Sequence, residues 1–147
     1  MDTPASITLR QVADYQFDVT FDETWPVVRS DEPVPLGKGA GPTPQHFLLA
    51  AVANCLSASL NFAIAKFKQS AGGLTTTARA HTGRNEAKRL RVQRIDVEIR
   101  LGRPAAEIEH LERALAQFED FCTVTQSVSG CIDVQVTVFD GAGRQVK

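Results

Sequence analysis

Alternation of apolar and polar positions marks the two ends of the chain as strand. In Tyr15–Phe21 the side chains of Tyr15, Phe17, Val19 and Phe21 share one face, the period of a half-buried strand. Ile7–Val12 has the same character, and Ala13-Asp14 and Asp22-Glu23 read as turns, so the N-terminal part is a meander ending near Trp25–Val28. Farther on, Leu74–Thr82 is Thr-rich and β-prone. In Leu90–Leu101 the apolar Ile95, Val97, Ile99 and Leu101 alternate with Asp96, Glu98 and Arg100, the clearest strand in the sequence. Ile132–Val138 repeats the pattern with Ile132, Val134, Val136 and Val138 on one face.

Between these segments the period changes. Asp31 to Pro44 carries prolines at 33, 35 and 42 and glycines at 37, 39 and 41, which exclude helix and central strand. The run GPTPQHFLLAAVANCLSASLNFAIAKFK, Gly41 to Lys68, is the organising stretch. Thr43 suits an N-cap and Pro44 the first helical position. From Phe47 to Phe67 the helix is apolar on nearly every side, and Gly72-Gly73 is expected to stop it. Its small residues (Ala50, Ala51, Ala53, Ser57, Ala58, Ser59) admit close neighbours, so it should be enclosed on most faces. Pro104 opens a second helix with Ile108, Leu111, Leu115 and Phe118 at helical spacing. The segment Phe121–Val128 is too polar for core and fits a short helix. Strands and helices are partly segregated, so the fold class is α+β.

One domain of this size has too little chain to cover so apolar a helix. A second copy would cover it, and a homodimer with two central helices in contact is expected. The 147 residues fit a single domain over 1–147. A net charge of −1 argues against a nucleic-acid partner, and Arg84, Lys88, Arg89, Arg91 and Arg94 read as a solvated hairpin end. Asn54, Ser57, Ser59 and Asn61 interrupt the long apolar run, so no membrane span is expected. Three cysteines without a basic-then-apolar leader point to a cytoplasmic location with free thiols.

Candidate chemistry narrows to those thiols. His46, His81 and His110 lie far apart with no CxxC or HxxxH spacing, so no metal is expected, and no phosphate or dinucleotide fingerprint implies a cofactor. Cys55 lies about three turns into the long helix among Ala51, Val52, Ala58 and Ser59; burial there raises a thiol, and activity would require a cation brought from elsewhere. Cys122 precedes Thr123, Thr125, Gln126 and Ser127, and a helix starting there would favour its thiolate. Cys131 begins the last strand on its polar face. Spacing also permits a Cys122–Cys131 bridge.

The pattern GxxPQxxLLAAxAxC from Gly41 to Cys55, followed by Cys122-Thr-Val-Thr-Gln-Ser before the last strand, resembles the OsmC/Ohr family of thiol peroxidases. The order of elements matches over almost the whole chain. The resemblance implies an antiparallel sheet wrapped around a long buried helix in an intertwined homodimer. It also implies that Cys55 attacks an organic hydroperoxide and becomes a sulfenic acid. Cys122 then resolves it as a disulfide, which an external dithiol reductant opens. Three positions depart from the family pattern. Gln45 stands where the family has Glu, Thr123 where it has Pro, and the expected Arg before the Pro-Glu pair is missing, leaving Arg29 or Lys38 to stabilise the thiolate with Gln45 as positioner. Two other readings use the same architecture: a non-catalytic dimer that binds a hydrophobic small molecule in an interface pocket, and a structural or interaction domain with incidental cysteines. Only the peroxidase needs Cys55 and Cys122 within disulfide reach.

Overall fold

A computed structural model of the chain describes residues 3–147. The chain forms two compact units, one running to Leu48 and one from Leu49 to Lys147, with the boundary inside the long helix. The fold class is α+β, with two separate three-stranded sheets.

In the first unit β1 (Thr8–Ala13), β2 (Gln16–Thr20) and β3 (Val28–Ser30) form the expected antiparallel meander. Many apolar side chains of this unit are bare: Val19 is buried, while Leu9, Val12, Tyr15, Phe21 and Trp25 are exposed. The Pro/Gly-rich loop that follows is organised by one carboxylate. Asp31, only 2 % exposed, accepts hydrogen bonds from the backbone N–H groups of Glu32 (2.8 Å), Lys38 (3.1 Å) and Ala40 (3.0 Å) and from Gln16 Nε2 (3.1 Å). These donors, the Ala40 N–H foremost, hold its carboxyl below the usual range. Gly37 and Gly41 are required by this compaction, since a Cβ at either would collide with the backbone of Glu32 or Arg29.

The helix α1 covers Pro44–Ala65. Thr43 caps it as expected, but reciprocally with His46: the His46 N–H faces Thr43 Oγ1 (3.4 Å) while the Thr43 N–H donates to His46 Nδ1 (3.0 Å). His46 thus fills the place that Glu or Gln takes in a capping box. The helix ends earlier than Gly72-Gly73. Lys68 adopts a left-handed φ of 58°, and its N–H bonds to Ala65 O (2.8 Å), closing the last turn. The expected enclosure is also not met by one chain. Val52, Leu56, Leu60, Ala63 and Ile64 form one buried stripe, whereas Ala50, Ala51, Asn54, Ala58, Asn61 and Phe62 are exposed.

In the second unit β4 (Leu74–Arg84) and β5 (Leu90–Leu101) form a long antiparallel hairpin, and β6 (Asp133–Phe139) lies beside β5. The β5–β6 pairing is parallel, from Arg94↔Asp133 to Arg100↔Phe139, so this sheet is mixed rather than antiparallel throughout. A parallel neighbour needs a long crossover, and residues 102–132 supply it. That crossover is broken where one helix was expected. A 3₁₀ turn over Ala105–Glu107 precedes α2 (Leu111–Gln117), a second 3₁₀ turn covers Phe118–Phe121, and α3 is Thr123–Val128. His110 interrupts the run with φ of 60° and packs its ring on Phe67 at 5.1 Å. The anticipated apolar positions Ile108, Leu111, Leu115 and Phe118 are nonetheless all buried. They join Ile95, Val97, Ile99, Leu101 and Val138 in the core. Polar contacts fix α1 on this layer. Ser57 Oγ donates to Ala53 O (2.7 Å) and so accepts from Thr76 Oγ1 of β4 (2.6 Å), and Ser59 Oγ donates to Phe118 O.

Candidate active site

Cys55 is half-buried in the middle of α1, and Cys122 is completely buried at the residue that caps α3. The bend from Phe118–Phe121 into α3, tied to α1 through Ser59, carries Cys122 inward. Its thiol donates to Thr125 Oγ1 at 3.0 Å, and Thr125 is itself buried. The expectation that Phe121–Val128 is too polar for core therefore fails at Cys122 and Thr125, which satisfy one another in an apolar surround.

The expected ease of ionising Cys122 also fails. Burial pushes its thiol above the ordinary value, and the neighbouring Cys55 thiol raises it further, since two thiolates side by side repel; hydrogen bonding to Thr125 acts the other way. A six-residue helix does not outweigh desolvation. Cys55 and Cys122, 67 positions apart in the sequence, are near enough for one thiol to influence the other. Cys131 stands apart. It is exposed in the turn before β6, with its thiol directed to Val128 O (3.5 Å), and all three cysteines are free, so no Cys122–Cys131 bridge forms.

Cys55 opens into a cavity of about 330 Å³ lined by Ala58, Ser59, Phe62, Ala63, Lys66, Gln117 and Phe121. Five of its eight lining residues, counting Cys55, follow positions 55, 58, 59, 62 and 63, one face of α1, and Lys66 continues that face just past the end of the helix. The lining is mostly apolar, and Lys66 is its one cation. Its ammonium rests 5.8 Å from the Phe62 ring centre and 5.9 Å from that of Phe121. Lys66, Phe62 and Phe121 were not singled out from sequence; Phe62 and Lys66 continue the 55/58/62/66 spacing, whereas Phe121 comes from the turn before α3.

The three thiolate-stabilising candidates belong to the first unit. Arg29 is engaged there by Asp18, Nε to Oδ1 at 2.5 Å; this contact raises the Arg29 pKa and lowers that of Asp18. Lys38 is exposed on the Asp31 loop, and Gln45 is exposed in the first turn of α1. Among the described residues no cluster of His, Cys, Asp and Glu could hold a metal.

A long helix carrying Cys55, a mixed α+β layer and a broken crossover carrying Cys122 define the class of fold. The family model for OsmC-like proteins matches residues 37–137, and the chain belongs to that family. Solved structures agree in fold. An OsmC-like protein of unknown function from Vibrio cholerae superposes with a TM-score of 0.76 at 16 % identity, over 94 % of this chain and 100 % of that one. An OsmC-like protein from Mycoplasma pneumoniae gives 0.76 at 18 %, over 95 % and 99 %. An organic hydroperoxide resistance protein from Elizabethkingia anophelis gives 0.69 at 22 %, over 94 % and 98 %. No curated protein matches the chain.

Proposed function

We propose that the protein is a cysteine-based thiol peroxidase that reduces organic hydroperoxides as part of an antioxidant stress response. The observation that carries this is the pairing of a half-buried thiol facing an apolar cavity, Cys55, with a fully buried thiol beside it, Cys122. The Cys55 thiolate attacks the terminal peroxide oxygen and the O–O bond breaks. The sulfur becomes a sulfenic acid, and the departing alkoxide takes up a proton to leave as the alcohol. Cys122 then attacks that sulfur. A Cys55–Cys122 disulfide forms, the hydroxyl leaves as water, and an external dithiol returns both thiols to the reduced state. The apolar lining favours substrates with a hydrocarbon body over hydrogen peroxide.

Following the family resemblance, Arg29 or Lys38 supplies the positive charge that ionises Cys55, and Gln45 positions it. Gln brings no charge, so this clamp is weaker than one built on Glu. Turnover of an alkyl hydroperoxide with a dithiol reductant is expected to vanish in Cys55→Ser. In Cys122→Ser a sulfenic acid should accumulate at Cys55. Full turnover by Cys55→Ser would refute the assignment.

The single domain proposed over 1–147 acts in this reading as a homodimer. The exposed face of α1 and the bare apolar side chains of the first unit support this, because a monomer leaves both in water. Light scattering should give a mass of about twice 16.0 kDa, and a monomer at micromolar concentration would overturn the dimer. The alternative, a non-catalytic dimer holding a hydrophobic small molecule, draws on the raised Cys122 thiol and predicts that both thiols survive peroxide unchanged.

A further inference from the structure

We infer that the end of the β4–β5 hairpin is a docking surface for an anionic phospholipid bilayer, with Leu90 entering the headgroup boundary among basic side chains. Residues 84–91 carry four cations, Arg84, Lys88, Arg89 and Arg91, against the single carboxylate of Glu86. This stretch is net +3 in a chain whose net charge is −1, so the other residues together carry −4. Every position from 84 to 91 is exposed. Among the described residues none of the four cations belongs to an ion pair. Arg84 Nη1 donates to Lys88 O (2.7 Å) and Arg91 Nη1 to Leu90 O (2.7 Å), contacts that orient the guanidinium groups and leave their charge uncancelled. Asp96, farther along β5, is taken by His81 (2.6 Å) and Arg94 (2.9 Å). Asn85 fixes the turn, its N–H donating to Arg89 O (3.0 Å) and its Oδ1 accepting from the Arg89 N–H (2.9 Å).

The occupant follows from what accompanies the charge. Leu90 is 61 % exposed, lies between Arg89 and Arg91 in sequence and pairs across the hairpin with Arg84. A leucine so placed gains by leaving water for the acyl boundary, while long basic side chains keep their heads among the phosphates. Residues 84–91 include no aromatic side chain. They therefore lack the stacking platform that single-stranded nucleic acid uses and the aromatic anchors that concentrate binding energy in protein interfaces. A fluid anionic surface needs neither. The hairpin belongs to neither surface that the dimer reading covers, the exposed face of α1 and the first unit. The inference also stands without the peroxidase reading.

The test is co-sedimentation of full-length reduced protein with phosphatidylcholine vesicles, with and without phosphatidylglycerol. The protein should pellet with the anionic vesicles only, and less of it as salt is raised. The side chains of Lys88 and Arg89 make no hydrogen bond among the described residues, so their removal tests charge alone. Each cation near the surface is worth about fivefold in partitioning, so Lys88→Gln/Arg89→Gln should weaken binding about 25-fold and flatten its salt dependence. Leu90→Ser should weaken it about tenfold with the salt dependence unchanged, and Lys88→Arg/Arg89→Lys should bind as the wild type does. Equal binding to both vesicles, no binding to either, or anionic binding that both weakening variants retain would overturn the inference. Release of the protein from anionic vesicles by a single-stranded oligonucleotide or a polyglutamate peptide at lower charge concentration than the lipid would overturn it too, and assign the cluster to nucleic acid or an acidic protein.

Discussion

Thr125→Val isolates the one hydroxyl that contacts the Cys122 thiol. Valine matches threonine in shape, and among the described residues the hydroxyl makes no other side-chain hydrogen bond besides that from Cys122 Sγ, at 3.0 Å. In the thiolate the direction reverses, with Thr125 Oγ1 donating to sulfur. Losing one such bond, worth about 1 kcal/mol, lowers the thiolate fraction about fivefold at any pH well below the Cys122 pKa. The remaining thiolate is more nucleophilic, and with a Brønsted slope near one half about half of that loss, in logarithmic terms, is recovered. Resolution of the Cys55 sulfenic acid should therefore slow by about two- to threefold near pH 7. Above the pKa of both proteins the thiol is fully ionised, only the nucleophilicity remains, and the variant should be about twofold faster. The assay is rapid-mixing with one equivalent of hydroperoxide, followed by sulfenic-acid trapping at successive times across pH 6.5 to about 10.5. Rate profiles that never cross would refute the reasoning, because a purely structural defect slows the step at every pH.

Leu56→Ala removes a fully buried side chain adjacent in sequence to Cys55 and should destabilise the protein by about 2–5 kcal/mol in urea unfolding at fixed protein concentration. The Asp31 carboxyl is held below its ordinary range, so it contributes stability that is present above the unfolded value near pH 3.9 and is lost as pH falls through the folded value. Asp31→Ala should correspondingly speed amide hydrogen exchange at Glu32, Lys38 and Ala40, the three N–H groups it accepts at neutral pH. Unchanged exchange there would show that the loop is held by something else. Cys131→Ser should leave peroxide turnover within experimental error, since that thiol is exposed and directed at Val128 O.

Periodicity carried most of the fold. The alternation in Leu90–Leu101 and Ile132–Val138 located two strands and their buried faces, and the four apolar positions from Ile108 to Phe118 are core. Alternation says which face a side chain takes and nothing of strand direction, so the parallel β5–β6 pairing was invisible. Spacing could not reveal that His110 turns left-handed, because an interrupted crossover keeps the same buried positions as a continuous helix. Asp31 and Asp140 escaped for a different reason. Each organises a loop by accepting backbone N–H groups, Asp140 from Ala105, Ala142 and Arg144, and nothing in the local sequence distinguishes a carboxylate that faces inward.

The candidate site was legible in part. Cys55 and Cys122 were chosen through the family pattern around them, since an apolar helical cysteine read alone is more simply a core residue. Their adjacency depends on the broken crossover, and the raised Cys122 thiol depends on burial that polar neighbours concealed. Lys66 was missed because it lies beyond the last turn of α1, where a lysine reads as ordinary surface.

The most direct measurement is intact mass with a free-thiol count after one equivalent of an alkyl hydroperoxide. The account predicts loss of two hydrogens and two thiols, a peptide map placing the bond between Cys55 and Cys122, and Cys131 still free. Three unchanged thiols would contradict the redox pair and leave the cavity as a binding site for an apolar small molecule.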